Sequence, residues 1–361
     1  MSIQKKIENL IRPEILKTSA YAIADARGLI KLDAMENPYG WSVELKQAWI
    51  KELQETEINR YPDPTARKLK EQLVESFSIP PDSGILLGNG SDEIIQVIIM
   101  ALARPGAVVM APEPSFAMYQ FLAQAANLKF VGIPLKVPEF SLDTETMLAA
   151  IAEHEPAVIF LAWPNNPTGN LFDVESLEKI ISAAPGLVIM DEAYTAFSGS
   201  SFMEKITHFG NLLVMQTLSK LGLAGLRLGY IAGPTEWIDQ FDKLRLPYNI
   251  NTLTQKSVVF FLKHLDVMNR QAAQIREDRD SLIKEMKKTP GLTVWPSATN
   301  FILFKSDNIS GGTIYTGLKE QGILIKNLHG FHENLADCLR VTVGSTAECR
   351  TFLAALNKVL G

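Results

Sequence analysis

Residues 187–194 read LVIMDEAY, a run of four apolar residues followed by Asp191, Glu192, Ala193 and Tyr194. A continuous apolar run of this length, without polar alternation, is typical of a buried strand that helices cover on both faces of its sheet. A carboxylate directly after such a strand is costly to bury unless it is paired. The stretch therefore predicts an α/β sheet and indicates a candidate site where this strand ends.

Working outward, similar apolar runs alternate with segments of helical periodicity. The predicted strands are 108–110, 158–162, 187–190, 212–216 and 228–232, and the predicted helices are 93–103, 116–126 and 174–184. Strands that alternate with helices form βαβ units, in which neighbouring strands are parallel. We therefore expect a large domain with a mostly parallel central sheet flanked by helices.

The pattern changes after Pro247. Residues 253–288 predict long helices, and strands at 300–304 and 339–343 are separated by a helical stretch at 314–321. We expect residues 46–250 to form the large domain, and residues 251–361 to form a linking helix and a smaller α+β domain. Residues 1–45 are expected to associate with the small domain and the active site.

Composition excludes several classes of function. The 361 residues carry a net charge of −5 with scattered Lys and Arg, which does not favour a nucleic-acid partner. No apolar run reaches the roughly 18 residues that cross a membrane, and residues 1–10 lack a secretory pattern, so we expect a cytoplasmic protein. The five histidines are dispersed without the spacing of metal ligands, so no metal site is expected. Without a secretory context, a disulfide between Cys338 and Cys349 is not expected.

Two polar segments follow predicted strands, at the edge where open α/β sheets bind ligands. In GNGSDE (88–93), two glycines precede Ser91 and Asp92 at the start of a helix, whose free N–H groups favour an anion. In PNNPTG (164–169), Asn166 can present its amide to a ligand. Taken singly, the first segment is more simply an ordinary helix cap, and the second is an unremarkable turn.

Two further segments add charged groups. Asp191 could pair with a protonated pyridine nitrogen, and Tyr194 could donate to a phenolate oxygen. In the simpler interpretation, Asp191 caps the next helix and Tyr194 only packs. After the strand at 212–216, Lys220 would have its pKa lowered by burial and become a nucleophile toward an aldehyde, unless it is a solvated loop lysine. Ser219 and Arg227 can bind phosphate oxygens. Together the four segments supply every group that pyridoxal phosphate requires.

The combination of PNNPTG (164–169), DEAY (191–194), TLSK (217–220) and AGLRLGY (224–230) resembles the fold-type I pyridoxal-phosphate aminotransferases over nearly the whole chain. Within them, the segments LDAMENPYG (32–40), NRYPD (59–63) and LRVTVG (339–344) resemble the histidinol-phosphate aminotransferase family. The resemblance implies transamination of L-histidinol phosphate with 2-oxoglutarate to imidazole acetol phosphate and glutamate, in histidine biosynthesis.

The resemblance also implies a role for each matching residue. Lys220 bonds covalently to the cofactor, Asp191 pairs with its ring nitrogen, and Tyr194 and Asn166 flank its ring oxygen. The ring stacks on Phe116, and its phosphate is held by Ser91, Asp92, Ser219 and Arg227. In a homodimer, the partner subunit's Tyr61 reaches the same phosphate. The substrate contacts are Tyr21, Asn37, Lys326 and Arg340, of which Arg340 meets the substrate phosphate or the glutamate carboxylate.

Two residues depart from the family pattern. Phe116 replaces a frequent tyrosine, and Lys326 replaces a frequent arginine and so lacks its bidentate fork. These changes leave two other enzymes open, an aromatic amino-acid aminotransferase and a phosphothreonine decarboxylase on the same scaffold. A ligand-sensing, aminotransferase-like regulatory domain is the alternative that is not an enzyme. The presence of both Lys220 and Asp191 favours an enzyme.

Overall fold

The computed structural model describes residues 1–18, 20 and 24–361. Its strands are β1 (Ile30–Lys31), β2 (Ser83–Gly88), β3 (Val108–Glu113), β4 (Lys129–Pro134), β5 (Val158–Ala162), β6 (Leu187–Asp191), β7 (Leu212–Thr217), β8 (Gly229–Pro234), β9 (Leu292–Val294), β10 (Phe301–Ser306), β11 (Ile323–Leu324), β12 (Lys326–Asn327) and β13 (Leu339–Thr342).

The α-helices are α1 (Ile3–Leu10), α2 (Pro13–Leu16), α3 (Val43–Gln54), α4 (Arg67–Phe77), α5 (Ser91–Leu102), α6 (Met118–Ala125), α7 (Thr144–His154), α8 (Val174–Ala183), α9 (Thr195–Ser198), α10 (Thr235–Asp242), α11 (Thr252–Leu262), α12 (Leu265–Met286), α13 (Gly311–Glu320) and α14 (Thr346–Leu360). Short helical turns cover Met203–Thr207, Ser219–Leu223, Ala224–Leu226 and Glu333–Leu335. No helix of the described residues is long and apolar enough to cross a membrane.

The central sheet has seven strands in the order β2-β8-β7-β6-β5-β3-β4. The five strands from β7 to β4 are parallel, whereas β8 is antiparallel to both of its neighbours. The connection from β7 to β8 contains only short helical turns, and parallel neighbours need a longer crossover. This short connection brings the residues after β7 back across the end of the sheet.

The predicted α/β class and the mostly parallel sheet are confirmed. Each of the five predicted strands falls on a strand of this sheet, and the helices predicted from 93, 116 and 174 correspond to α5, α6 and α8. Buried apolar residues fill both faces of the sheet, which explains the continuous apolar runs. The sequence analysis missed β2, which begins with a serine and a glycine, and β4, an edge strand with an exposed Lys129.

A second sheet, β12-β13-β10-β9, is antiparallel throughout and contains the strands predicted near residues 300 and 339. The N-terminal segment meets this part of the chain, because β1 pairs in parallel with β11. The backbone N–H of Thr342 also donates to the carbonyl oxygen of Leu32 at 2.8 Å. The chain at Leu32 is thereby tied to the second sheet. The domain boundaries stated above stay predictions.

Candidate active site

The polar segments that follow the parallel strands converge on one cavity of about 360 Å³. Asp191 ends β6, Asn166 lies in the loop after β5, and Lys220 lies in the helical turn after β7. The carboxyl ends of parallel strands meet at one edge of a sheet, so these side chains come together although they are far apart in sequence. The lining also includes Met35, Gly90, Ser91, Asp92, Phe116, Tyr194, Thr217, Ser219 and Arg227.

Lys220 presents its amine to this cavity. Its Nζ donates a hydrogen bond to the carbonyl oxygen of Ala34 at 3.1 Å and lies 5.9 Å from the centre of the Tyr194 ring. Burial, and secondarily the nearby Arg340 guanidinium, lower the pKa of Lys220 from 10.5 to about 8. A larger fraction of the amine is therefore neutral near physiological pH, as a nucleophile or a base requires.

Asp191 is a buried carboxylate that lines the same cavity. Its Oδ2 accepts a hydrogen bond from the Tyr119 hydroxyl at 2.6 Å, and its Oδ1 accepts one from the backbone N–H of Ala193 at 3.2 Å. Burial raises the pKa of Asp191 to about 6. None of the ion pairs within residues 1–18, 20 and 24–361 includes it. A cationic ring nitrogen would supply the missing positive charge.

Glu192, the next residue, does not line the cavity. Its carboxylate accepts hydrogen bonds from the backbone N–H of Phe202, from Ser201 and from Gln216, and burial raises its pKa to about 7. Successive side chains of a strand point to opposite faces, so only one of two adjacent acids can face the cavity. Asp191 is therefore the acid that is available to a ligand.

The N-terminus of α5 forms one end of the cavity. No side chain caps this helix, so the N–H groups of its first turn remain available to an anion. Only glycine fits at two neighbouring positions. Gly90 has a φ of +85°, which disfavours any side chain, and a Cβ on Gly229 would lie 2.7 Å from the backbone nitrogen of Ser91. Arg227 and Ser219 line the same cavity, and the Arg227 guanidinium lies next to Gly90.

Asn166, Tyr194 and Arg340 lie toward the second sheet. Arg340 Nη1 donates to Asn166 Oδ1, and its Nη2 donates to the Asp33 carbonyl oxygen at 3.2 Å. The Tyr194 hydroxyl is buried, and burial raises its pKa far above the ordinary value. Tyr194 therefore stays a hydrogen-bond donor at any physiological pH.

A second cavity, of about 500 Å³, adjoins the first and shares Met35, Asp92, Phe116 and Asn166 with it. Its lining includes Lys326 and Arg340, which are direct partners across the antiparallel pair β12–β13. Burial, and secondarily Arg340, lower the pKa of Lys326. Two cations on facing positions of neighbouring strands make this wall of the cavity positively charged, although the nearby Asp33 carboxylate acts on the pKa of Lys326 in the opposite direction. This cavity therefore favours an anionic group.

Two predicted site residues that the structure describes, Asn37 and Tyr61, do not line either cavity. Asn37 donates instead to the carbonyl oxygen of Leu221 at 3.3 Å and to Gln271 Oε1 at 3.0 Å, so a substrate contact for it stays a prediction. Tyr61 lies on the surface, 80% exposed, with its ring stacked on that of Tyr248 at 4.4 Å. Tyr21 lies outside the described residues.

The sequence analysis missed two contacts of the site. Tyr119, bonded to Asp191, was not among the predicted site residues, and no spacing rule connects it to a residue 72 positions away. The Ala34 carbonyl was also missed, because backbone acceptors leave no mark on the residue type. Both contacts arise from tertiary structure alone.

Comparison with known proteins first identifies the class. The sequence model of the family "Aminotransferase class I and II" matches residues 27–356. Histidinol-phosphate aminotransferase from Clostridium acetobutylicum has a similar structure, with a TM-score of 0.84, 25% identity and coverage of 92% of this chain and 99% of that one. The Sinorhizobium meliloti enzyme of the same name, solved in complex with pyridoxal-5'-phosphate, shares the fold at a TM-score of 0.85, with 23% identity and 97% coverage of each chain.

A relative then identifies the family. Histidinol-phosphate aminotransferase 2 of Nitrosococcus oceani is 51% identical over 351 residues, which cover 97% of each chain. The chain therefore belongs to the class I and II aminotransferases, which depend on pyridoxal phosphate, and within them to the histidinol-phosphate aminotransferase family.

Proposed function

We propose that this chain catalyses transfer of the amino group of L-histidinol phosphate to 2-oxoglutarate, which yields imidazole acetol phosphate and glutamate in histidine biosynthesis. One structural observation carries the choice of substrate. Lys326 and Arg340 face each other across two strands and line a cavity that adjoins the cavity of Lys220. An amino donor with an anionic end can therefore place its amine near Lys220 while its anion meets the two cations. The name of the Nitrosococcus oceani relative supports the same choice.

The residues of the smaller cavity fit pyridoxal phosphate by the chemistry of their donors. The uncapped start of α5, with Ser219 and Arg227 beside it, suits the phosphate. At the other side, Asp191 suits a protonated ring nitrogen, and Tyr194 and Asn166 suit the ring oxygen. Phe116 lines the cavity with an apolar ring that can stack on the cofactor. Lys220 supplies the amine that bonds to the aldehyde.

When bound, pyridoxal phosphate supplies an aldehyde that takes up the amino group and a ring that accepts electron density from the substrate α-carbon. Lys220 Nζ is then the base that moves the proton at this carbon. A pKa near 8 suits that task, because a base is most effective when its pKa lies near the working pH. Asp191 holds a negative charge against the ring nitrogen and so favours its protonated form.

Arg340 has a further task, because the amino donor and the 2-oxoglutarate–glutamate pair of the other half-reaction use one site in turn. Histidinol phosphate presents a phosphate, and glutamate presents carboxylates. The Arg340 guanidinium can bind either group with two parallel N–H bonds, and its hydrogen bonds to Asn166 and to the Asp33 carbonyl fix its orientation. Lys326 adds a point charge that suits the more highly charged phosphate.

A homodimer and a cytoplasmic location are part of the same proposal. Tyr61 and Tyr248 stack on each other at the surface, and Ile58 and Leu246, close to them in sequence, are 78% and 71% exposed. Exposed apolar side chains of this kind mark interaction surfaces, so a partner subunit's Tyr61 can reach the cofactor phosphate. Both cysteines are free thiols, as is usual in the cytoplasm.

A panel of amino donors tests the substrate. Histidinol phosphate, phenylalanine and phosphothreonine are each added to the loaded enzyme, and the change in cofactor absorbance reports amino transfer. We expect the highest kcat/KM with histidinol phosphate. A preference for phenylalanine, or carbon dioxide release from phosphothreonine, would overturn the proposal in favour of the corresponding enzyme.

A further inference from the structure

We propose that Tyr119 is a positioning residue, whose phenol holds the Asp191 carboxylate in the orientation and charge state that the ring nitrogen of the cofactor requires. This inference rests on the role proposed above for Asp191. Tyr119 lines the second cavity but not the cavity of Lys220, so it would act on the cofactor only through Asp191.

The position of the Tyr119 ring is fixed by packing. The residue lies in the first turn of α6 and is 1% exposed. Its ring stacks on Phe160 of β5 with a centroid distance of 4.6 Å and an interplanar angle of 9°, and the edge of Phe116 meets it at 5.5 Å. Aromatic contacts on two sides leave the ring little freedom. The position of the Tyr119 hydroxyl is therefore fixed.

The Tyr119 hydroxyl lies against the Asp191 carboxylate. The 2.6 Å distance from the Tyr119 hydroxyl to Oδ2 is typical of a charge-assisted hydrogen bond. Burial and the neighbouring negative charge raise the pKa of Tyr119 well above its ordinary value, so the phenol keeps its proton and only donates. The Ala193 N–H fixes the other oxygen. Each carboxylate oxygen accepts more than one bond, so a third donor from the cavity is still accepted.

The charge of Asp191 also depends on its hydrogen bond from the Tyr119 hydroxyl. Burial is the largest influence on the pKa of Asp191 and raises it, as does the more distant Asp92 carboxylate. The Tyr119 hydroxyl is the strongest opposing influence, ahead of the Ala193 N–H and of Lys220. Without the phenol, protonation of Asp191 moves toward neutral pH. A neutral carboxyl cannot stabilise a protonated ring nitrogen.

The substitution Tyr119→Phe tests the inference, since it removes one oxygen and keeps the stacked ring. The enzyme is freed of cofactor, and dissociation constants are measured for pyridoxal phosphate and for its analogue with CH in place of the ring nitrogen. We expect the variant to bind pyridoxal phosphate up to about tenfold more weakly, because each unit by which the pKa of Asp191 rises is a factor of ten in the ratio of ionised to neutral carboxyl. Its affinity for the analogue stays unchanged. The fall in pyridoxal phosphate affinity toward acid pH moves to higher pH.

Tyr230→Phe is the matched control. Tyr230 is fully buried in the sheet that also contains Asp191. Its hydroxyl donates to the neutral Gln216 amide oxygen at 2.5 Å and not to Asp191. The substitution Tyr230→Phe should lower the affinities for pyridoxal phosphate and for the analogue equally, or should lower neither. An equal loss for both ligands in Tyr119→Phe, or no loss for either, would overturn the inference.

A second variant separates this inference from the proposed function. Asp191→Asn should abolish the preference for pyridoxal phosphate over the analogue. If it does so and Tyr119→Phe does not reduce that preference, only the inference about Tyr119 fails. If Asp191→Asn leaves the preference intact, the proposed role of Asp191 fails. Neither measurement depends on the identity of the amino donor.

Discussion

Replacing Lys220 with methionine should make the cofactor-free protein more stable while it destroys the activity. The structure buries an amine whose pKa falls from 10.5 to about 8. At about 1.36 kcal/mol per pKa unit, the protonated amine costs the folded state about 3 kcal/mol at pH 7. Methionine has a similar length and no charge, so it removes this cost.

Two features reduce the expected gain. The substitution also removes the hydrogen bond from Nζ to the Ala34 carbonyl oxygen, which contributes about 1 kcal/mol. Lys220 is only partly buried, so solvent in the cavity screens part of its charge. We therefore expect a net gain of about 2 kcal/mol in the free energy of unfolding at pH 7.

The dependence on pH identifies the cause. A lysine whose pKa is depressed in the folded state destabilises that state fully below pH 8, and the penalty disappears as the pH rises from about 8 to 10.5. The advantage of Lys220→Met should therefore shrink by about half or more at roughly pH 9.5.

Urea titrations of both cofactor-free proteins at pH 7 and 9.5 measure this difference. Replacement of the exposed helical Lys284 by methionine is the control, with an expected change within about 0.5 kcal/mol. A variant less stable than the wild type at pH 7, or a gain that does not depend on pH, would refute the reasoning.

Three further outcomes are expected. Asp191→Ala should keep the far-ultraviolet circular dichroism of the fold but lower kcat by about 10²-fold or more, so near wild-type transamination would remove Asp191 from its role. Lys326→Ala should raise the KM for histidinol phosphate about tenfold, whereas Lys326→Arg should leave it unchanged, as measured from initial rates. Equal KM values for the two variants would contradict a contact between residue 326 and the substrate phosphate. Gly229→Ala places a Cβ 2.7 Å from the backbone at Gly90 and Ser91, so it should destabilise the protein by about 1–3 kcal/mol and weaken cofactor binding; unchanged melting temperature and cofactor affinity would speak against this close approach.

Much of the fold could be predicted because its central strands are covered on both faces. Strands such as Val158–Ala162 and Leu187–Asp191 are entirely buried, and burial on both faces demands the continuous apolar runs seen in the sequence. The antiparallel direction of Gly229–Pro234 was not predicted, since an apolar run does not reveal which way a strand points. The edge strand Lys129–Pro134 was missed because its partial exposure weakens the apolar signal.

The candidate site was predictable where chemistry and position coincide. Asp191 and Lys220 each follow a buried strand, and a charged group at that place requires an explanation. Tyr119 is different, because a tyrosine in an apolar helix looks the same whether its hydroxyl meets a carboxylate or water. Its side chain reaches Phe160 of β5 and Asp191 of β6 only in the folded structure, and no local pattern encodes these contacts.

The most direct test of the central claim follows glutamate formation from histidinol phosphate and 2-oxoglutarate by the wild type and by Lys220→Ala, with both proteins at equal concentration. We expect many turnovers for the wild type. We expect none for the variant, together with loss of the absorbance of the lysine-bound cofactor. Sustained multiple turnovers by Lys220→Ala, or no glutamate from the cofactor-loaded wild type, would contradict that claim.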